Sequence, residues 1–235
     1  MGRAHTHSVA DYLEAMYFLA TPIGEYGPVV GEAPVPAARV AEMLHVTPPT
    51  ASEMLKRLEA EGLVERGPRR SPVLTPDGRR RAERVVRNHR IIERFLTDFM
   101  GYTPAESHEH ADSLGDAFDD EMVDRISAQL GHPDRCPHGW PVDTLHEREE
   151  NRDLRPLSAR IAGDEVTIVR LAEHDGDLLH WFYDQGLVPA TRVEILRTDP
   201  AADQLTIAVH GDERAISFRA AEGLFTRVDA GPTDP

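Results

Sequence analysis

The chain has 235 residues, 40% of them hydrophobic, a single cysteine and a formal net charge of −15. That length suits two or three small cores, and its apolar runs fall far short of the roughly 20 residues that a bilayer span needs. Asp11 and Glu14 interrupt the apolar stretch where a signal peptide would be continuous, so a cytoplasmic protein is expected. Cys136 alone excludes an internal disulfide framework and a Cys-rich zinc module, which leaves Asp, Glu and His as the main possible metal ligands. The acidity is unevenly placed: residues 1–100 hold 14 Lys+Arg against 13 Asp+Glu, and residues 101–235 hold 12 against 28. Between Lys56 and Arg94 the count is 12 basic against 6 acidic, so one local basic stretch is available to a polyanion.

In chain order, Val9, Tyr12, Leu13, Met16, Tyr17 and Leu19 recur at helical spacing and predict a helix over 7–20, which the Pro/Gly-rich run TPIGEYGPVVGEAP ends. A second helix is expected over 37–44. After a short turn at His45-Val46, Thr47 caps a third helix whose first turn tolerates Pro48 and Pro49, because those amides lack intrahelical partners anyway. Gly62 ends it. Leu63–Arg66 and Val73–Thr75 read as two short strands around the arginine-rich tip GPRRSP, the pattern of a wing. Pro76 opens a long helix to about Met100, and two more fit 105–117 and 119–130. The Pro-rich, weakly periodic stretch after 131 reads as a linker. Beyond Leu157 the alternating runs EVTIVRL, RVEILRT, QLTIAVH and AISFRA, with one helix near 177–185, predict a small β-barrel of SH3-like type; a two-layer sheet fits the same pattern.

Two helices joined by a short turn and followed by a strand pair put the second of them in position to enter a major groove while the wing crosses the backbone. Thr47, Thr50, Ser52, Glu53, Lys56 and Arg57 give that helix a polar, hydrogen-bonding face, and Arg66, Arg69 and Arg70 supply the wing with phosphate contacts. Three helical segments also carry possible metal ligands on one face each: Asp11 with Glu14, His89 with Glu93, and His108 with Asp112 and Asp116. Singly such pairs are ordinary solvated or salt-bridged faces; three of them on neighbouring helices point to a first-row metal. The set is rich in oxygen and free of sulfur, which favours Mn²⁺ over Fe²⁺. Cys136 and His138, within CPHG, read as a structural turn, and His5 and His7 as part of a flexible terminus.

The segments VADYLEAMYFL, VTPPTASEMLKRLEAEGLVER, VLTPDGRRRAERVVRNHRIIERFLTDFMGY and DDEMVDRISAQLGHPDRCPHG, in this order, resemble the diphtheria-toxin-repressor family and its manganese-transport-regulator branch. The resemblance implies an α+β multidomain chain: an N-terminal winged helix-turn-helix (1–76), an all-α dimerisation and metal-binding domain (77–145), a linker (146–156) and a C-terminal SH3-like, FeoA-like domain (157–235). It implies a homodimer that binds double-stranded, palindromic operator DNA under metal control and represses metal-uptake genes. Pro49 and Glu53 then lie near base edges, and Thr47, Ser52 and Arg57 near phosphates; Glu53 stands where iron-responsive members have Gln. His89, Glu93 and His108 match the ancillary metal site. Asp11 and Glu14 follow the manganese pattern of the other site, Asp112 takes a position held by Cys or Glu, and Gly115 and Asp116 replace a Glu and a His. Asp175, with Asp177 nearby, matches the place from which the C-terminal domain lends a ligand. The alternatives are an Fe²⁺-responsive regulator of the same family and a metal-dependent hydrolase that uses the winged region for docking.

Overall fold

The computed structural model describes residues 7–20, 23–24, 27–28, 37–115 and 117–229. The chain packs as two units, Met1–Tyr102 with Glu106–Pro133, and Thr103–Ala105 with Asp134–Pro235.

In the first unit, α1 (Val9–Ala20) starts with a reciprocal cap: the Asp11 carboxylate accepts from Ser8 N at 2.9 Å, and Ser8 Oγ accepts from Ala10 N at 3.1 Å. A short strand pair, β1 (Ile23–Gly24) and β2 (Gly27–Pro28), follows. Next come α2 (Ala37–Met43) and α3 (Pro48–Ala60), and Thr47 caps α3 by accepting from Thr50 N. Leu13, Met16, Val40, Leu55, Leu58, Ala82 and Val86 meet in one core, so α1 and the start of the long α4 (Pro76–Asp98) clamp the helix-turn-helix between them. Strands β3 (Val64–Arg66) and β4 (Pro72–Leu74) form the expected wing, its tip a single 3₁₀ turn over Pro68–Arg70. α5 (Pro104–Leu114) and α6 (Asp120–Gln129) follow; α6 is tied to α4 by Arg84–Asp120 at 3.0 Å and Arg87–Asp124 at 2.8 Å.

The base of the wing is locked to the start of α4. Thr75 accepts from Gly78 N at 3.0 Å and donates to Gly62 O at 2.7 Å, while Thr75 N donates to Leu63 O at 3.0 Å. Gly78 permits this approach, because a Cβ there would come within 1.9 Å of Leu63 O.

The second unit is built on a six-stranded antiparallel sheet in the order β5 (Arg155–Pro156), β10 (Leu224–Val228), β6 (Glu165–Leu171), β7 (Arg192–Asp199), β8 (Gln204–Val209) and β9 (Asp212–Ser217), the SH3-like domain expected. α8 (Gly176–Asp184) and α9 (Phe218–Glu222) pack Leu179, Phe182, Ala220 and Ala221 into its core. AISFRA is therefore half strand and half helix, and β10, between Gly223 and Asp229, is a strand that the sequence reading did not pick out.

The expected linker over 146–156 is corrected. That stretch carries most of α7 (Thr144–Glu150) and strand β5, with Leu154 fully buried. Just upstream, Trp140 is 1% exposed and donates to Leu171 O at 2.8 Å. The physical reason is a buried charge centre. Glu150 on α7 receives Arg170 at 2.5 Å, Arg135 at 2.6 Å and Arg227 at 2.9 Å, and the Arg170 guanidinium lies 4.9 Å from the Trp140 ring. Burial alone would raise the Glu150 pKa, but the hydrogen bond from Arg135 and the charge and hydrogen bonds of Arg170 outweigh it and hold the carboxyl down, from 4.5 to about 2.

Two outcomes are expected. Gly78→Ala must push apart α4 and the chain at Leu63, so urea denaturation should show a loss of about 1–3 kcal/mol, as for other overpacked sites. A depressed carboxylate stabilises above its unfolded pKa and loses that contribution as pH falls through its folded one. Acid unfolding followed by tryptophan fluorescence should therefore steepen between pH 4.5 and about 2, and Glu150→Gln should flatten that limb.

Candidate metal centre and nucleic-acid face

α3 is strongly two-sided. Ala51, Leu55 and Leu58 are buried, and Thr47, Pro48, Pro49, Thr50, Ser52, Glu53, Lys56 and Arg57 are exposed. The helix thus offers to solvent the polar residues singled out from the sequence. Arg57 Nε lies 2.8 Å from Glu61, and Arg66 on β3 lies 2.7 Å from Glu59. Both pairs are exposed, where such a pair contributes about 1 kcal/mol or less, so the arginines can turn to a phosphate at small cost. Arg66 also donates to Arg70 O at the wing tip, where Arg70 adopts φ 62°. The Arg69 side chain lies outside the described residues.

Below this face, α4 and α5 bring together the three candidates of the inner set. His89 Nε2 is 2.9 Å from Glu93 Oε1 and 3.2 Å from His108 Nδ1, and His108 Nδ1 is 2.9 Å from the same Glu93 oxygen. His89 and Glu93 share a face because they are four residues apart on a helix. All three are buried. The other edge of the His89 ring faces an outer set, with Nδ1 3.4 Å from Glu14 on α1 and 3.3 Å from Asp112 on α5. Within each set the donor atoms lie within 4.8 Å of one another. Burial would lower the His89 pKa, but the carboxylates of Glu14, Glu93 and Asp112 outweigh it and hold the imidazole well above its usual range. Two imidazoles and several carboxylates, mostly buried and converging, fit a first-row divalent cation. Carboxylates of like charge crowd here, and a cation would relieve that repulsion.

Other candidates stand apart. The Asp11 carboxylate is engaged by Ser8 and by His7 Nδ1 at 3.1 Å and belongs to neither donor set. Gly115, in the turn that closes α5, offers no side-chain donor. Asp116 lies outside the described residues. Asp175 caps α8 through Leu178 N at 3.1 Å and pairs with Arg219 at 2.6 Å. The acid buried in that loop is instead Glu173, 3.1 Å from His138 Nδ1, with Cys136 Sγ 3.9 Å from the same nitrogen. All three are buried, and sequence reasoning missed them as a group. The two-residue Cys136–His138 spacing was the available signal; Pro137 and Gly139 masked it by suggesting a plain turn.

Residues 5–71 match the family described as Iron dependent repressor, N-terminal DNA binding domain; residues 75–143 match Iron dependent repressor, metal binding and dimerisation domain; residues 155–228 match the FeoA domain. The chain is 32% identical over 182 residues to the iron-dependent repressor IdeR of Mycobacterium leprae (strain TN), covering 72% of this chain and 79% of that protein. To the diphtheria toxin repressor of Corynebacterium glutamicum it is 32% identical over 169 residues, 68% of this chain and 74% of that one. Among solved structures, a manganese-dependent transcriptional repressor in complex with manganese superposes with a TM-score of 0.83 at 29% identity, over 94% of this chain and 100% of that chain. ScaR with bound Cd²⁺ gives 0.78 at 26%, over 95% and 100%. Both the fold class and the resemblance read from the sequence are borne out.

On the exposed face of α3, Arg57→Ala is expected to weaken binding to duplexes of any sequence alike and to lower the slope of log affinity against log salt by about 1, the mark of a lost phosphate contact. A loss confined to one base position would instead assign Arg57 to base reading.

Proposed function

The chain belongs to the iron-dependent repressor family, that of the diphtheria toxin repressor and the manganese transport regulators, and from this premise we propose that it is a Mn²⁺-responsive repressor of metal-uptake genes acting on a palindromic operator. That it is a metal-dependent, DNA-binding transcriptional repressor follows from the family. The observation that carries the finer reading is the carboxylate-rich surrounding of His89, with Glu93 and His108 on one edge of the ring and Glu14 and Asp112 on the other, drawn from α1, α4 and α5. Hard oxygen donors with imidazole suit Mn²⁺, although intrinsic affinities favour later metals when these are available.

When bound, a divalent cation supplies the positive charge that the clustered carboxylates lack. The residues divide the rest of the work. His89, Glu93 and His108 form the inner set, and Glu14 brings α1 to it, so the helix that packs under the helix-turn-helix is held at the centre. Thr47, Pro49, Thr50, Ser52, Glu53, Lys56 and Arg57 read the groove and its phosphates from α3, and Arg66, Arg69 and Arg70 hold the backbone from the wing. The domain that matches the dimerisation family leaves Phe99, Met100 and Met122 exposed, apolar side chains that a second copy would cover. Two copies related by a two-fold axis read two half-sites of a palindrome. The effect on DNA affinity equals the difference in metal affinity between the DNA-competent arrangement and the others.

Iron remains the second reading, because the relatives include repressors named for iron. The hydrolase alternative draws no support from the relatives, which are repressors. The test is selection of a random-sequence duplex pool on the full chain with Mn²⁺, followed by anisotropy titration of the selected duplex. A palindromic site is expected, with affinity falling about 100-fold in EDTA and returning at lower free Mn²⁺ than free Fe²⁺. Affinity indifferent to EDTA would overturn the metal switch, and the reverse metal order would overturn the choice of Mn²⁺.

A further inference from the structure

His89 is the side chain shared by the inner and outer donor sets. Its Nε2 faces Glu93 and His108, and its Nδ1 faces Asp112 at 3.3 Å and Glu14 at 3.4 Å. A neutral imidazole has one lone-pair nitrogen and one N–H. It can ligate one cation through the first while the second donates a hydrogen bond, but it cannot ligate two cations unless the second proton also leaves. Each set therefore depends on the same electron pair.

The two sets differ in what remains without it. The inner set keeps His108 and Glu93, both buried. Among the described residues, the outer set keeps Glu14 and Asp112, the latter with its side chain 56% exposed. Gly115 adds no donor, and the Asp11 carboxylate is turned to Ser8 and His7. The stronger claim on the ring is the inner one.

We propose that the two sets are mutually exclusive, so that the His89 ring serves one cation per chain, at the inner set, while Glu14 and Asp112 accept the Nδ1–H and fix the ring's orientation. This rests on the reading of His89 as a metal ligand. The N-terminal helix α1 would then be joined to the centre through a hydrogen bond from the imidazole to Glu14. A carboxylate on the far N–H of a ligating histidine sets its tautomer and raises its basicity, and losing such a partner commonly weakens metal binding 10- to 100-fold.

The experiment is equilibrium dialysis of the full chain against Mn²⁺ with metal analysis, comparing wild type, Asp112→Asn and His89→Gln, with the electron paramagnetic resonance spectrum of the wild type. Differences between variants cancel any ion bound elsewhere. Asp112→Asn should bind as many ions as wild type, about 10-fold more weakly; His89→Gln should bind one fewer; the wild-type spectrum should be that of isolated Mn²⁺. Loss of one ion in Asp112→Asn, loss of two in His89→Gln, or a spin-coupled pair would overturn the exclusivity and leave the metal-switch reading standing. An unchanged count in His89→Gln would overturn the ligand assignment itself. If that variant fails to fold, the count in Asp112→Asn and the spectrum decide, since Asp112 is largely exposed.

Discussion

The first unit depends on a buried imidazole that acids flank on both edges. Desolvating His89 alone would be unfavourable; with Glu93 on one edge and Glu14 and Asp112 on the other, the ring becomes the point at which charge is balanced. Three helices from distant parts of the sequence must converge to make that balance. α1 contributes Glu14, α4 contributes His89 and Glu93, and α5 contributes His108 and Asp112. The packing of Leu13 and Met16 against Ala82 and Val86 brings α1 to α4 for ordinary apolar reasons, and the polar centre begins one helical turn further along α4.

The second unit is organised by charge in the opposite sense, with one carboxylate among three arginines. Glu150 draws together α7, β6 and β10 with the segment around Arg135. Its neighbour Trp140 fills the space under Arg170. This explains how a stretch so poor in apolar periodicity can be well ordered: its organising contacts are ionic and long-range, and its large apolar anchors are few, Trp140 among prolines and Leu154 just past α7.

These cases also mark what a sequence can tell. The helix-turn-helix and wing were legible because short-range rules decide them: Thr47 capping before two prolines, Gly62 after the last turn, Val64–Arg66 pairing with Pro72–Leu74. His89, Glu93 and His108 were legible as candidates from helical spacing and as a group through the resemblance. Which way a side chain turns was not. Asp11 and Glu14 share a face, yet the end of the helix claims Asp11 and leaves Glu14 to the cluster. Likewise Asp175 and Glu173 are two residues apart, and only packing decides that the first caps a helix and the second is buried against His138. α7 and β10 were missed because the partners that order them lie tens of residues away.

The lock at Gly78 gives the long helix a mechanical meaning. With Leu63 O against Gly78 and Thr75 bound to Gly62, the wing base cannot slide along α4; it must travel with the helix as the short end of a lever. His89 lies thirteen residues beyond Pro76, about 20 Å along the axis at 1.5 Å per residue, so a tilt of about 3° there displaces the wing by about 1 Å. Hydrogen bonds to phosphate tolerate only a few tenths of an ångström. An angular change too small to disturb the core is therefore large enough to set whether the wing meets the backbone in register.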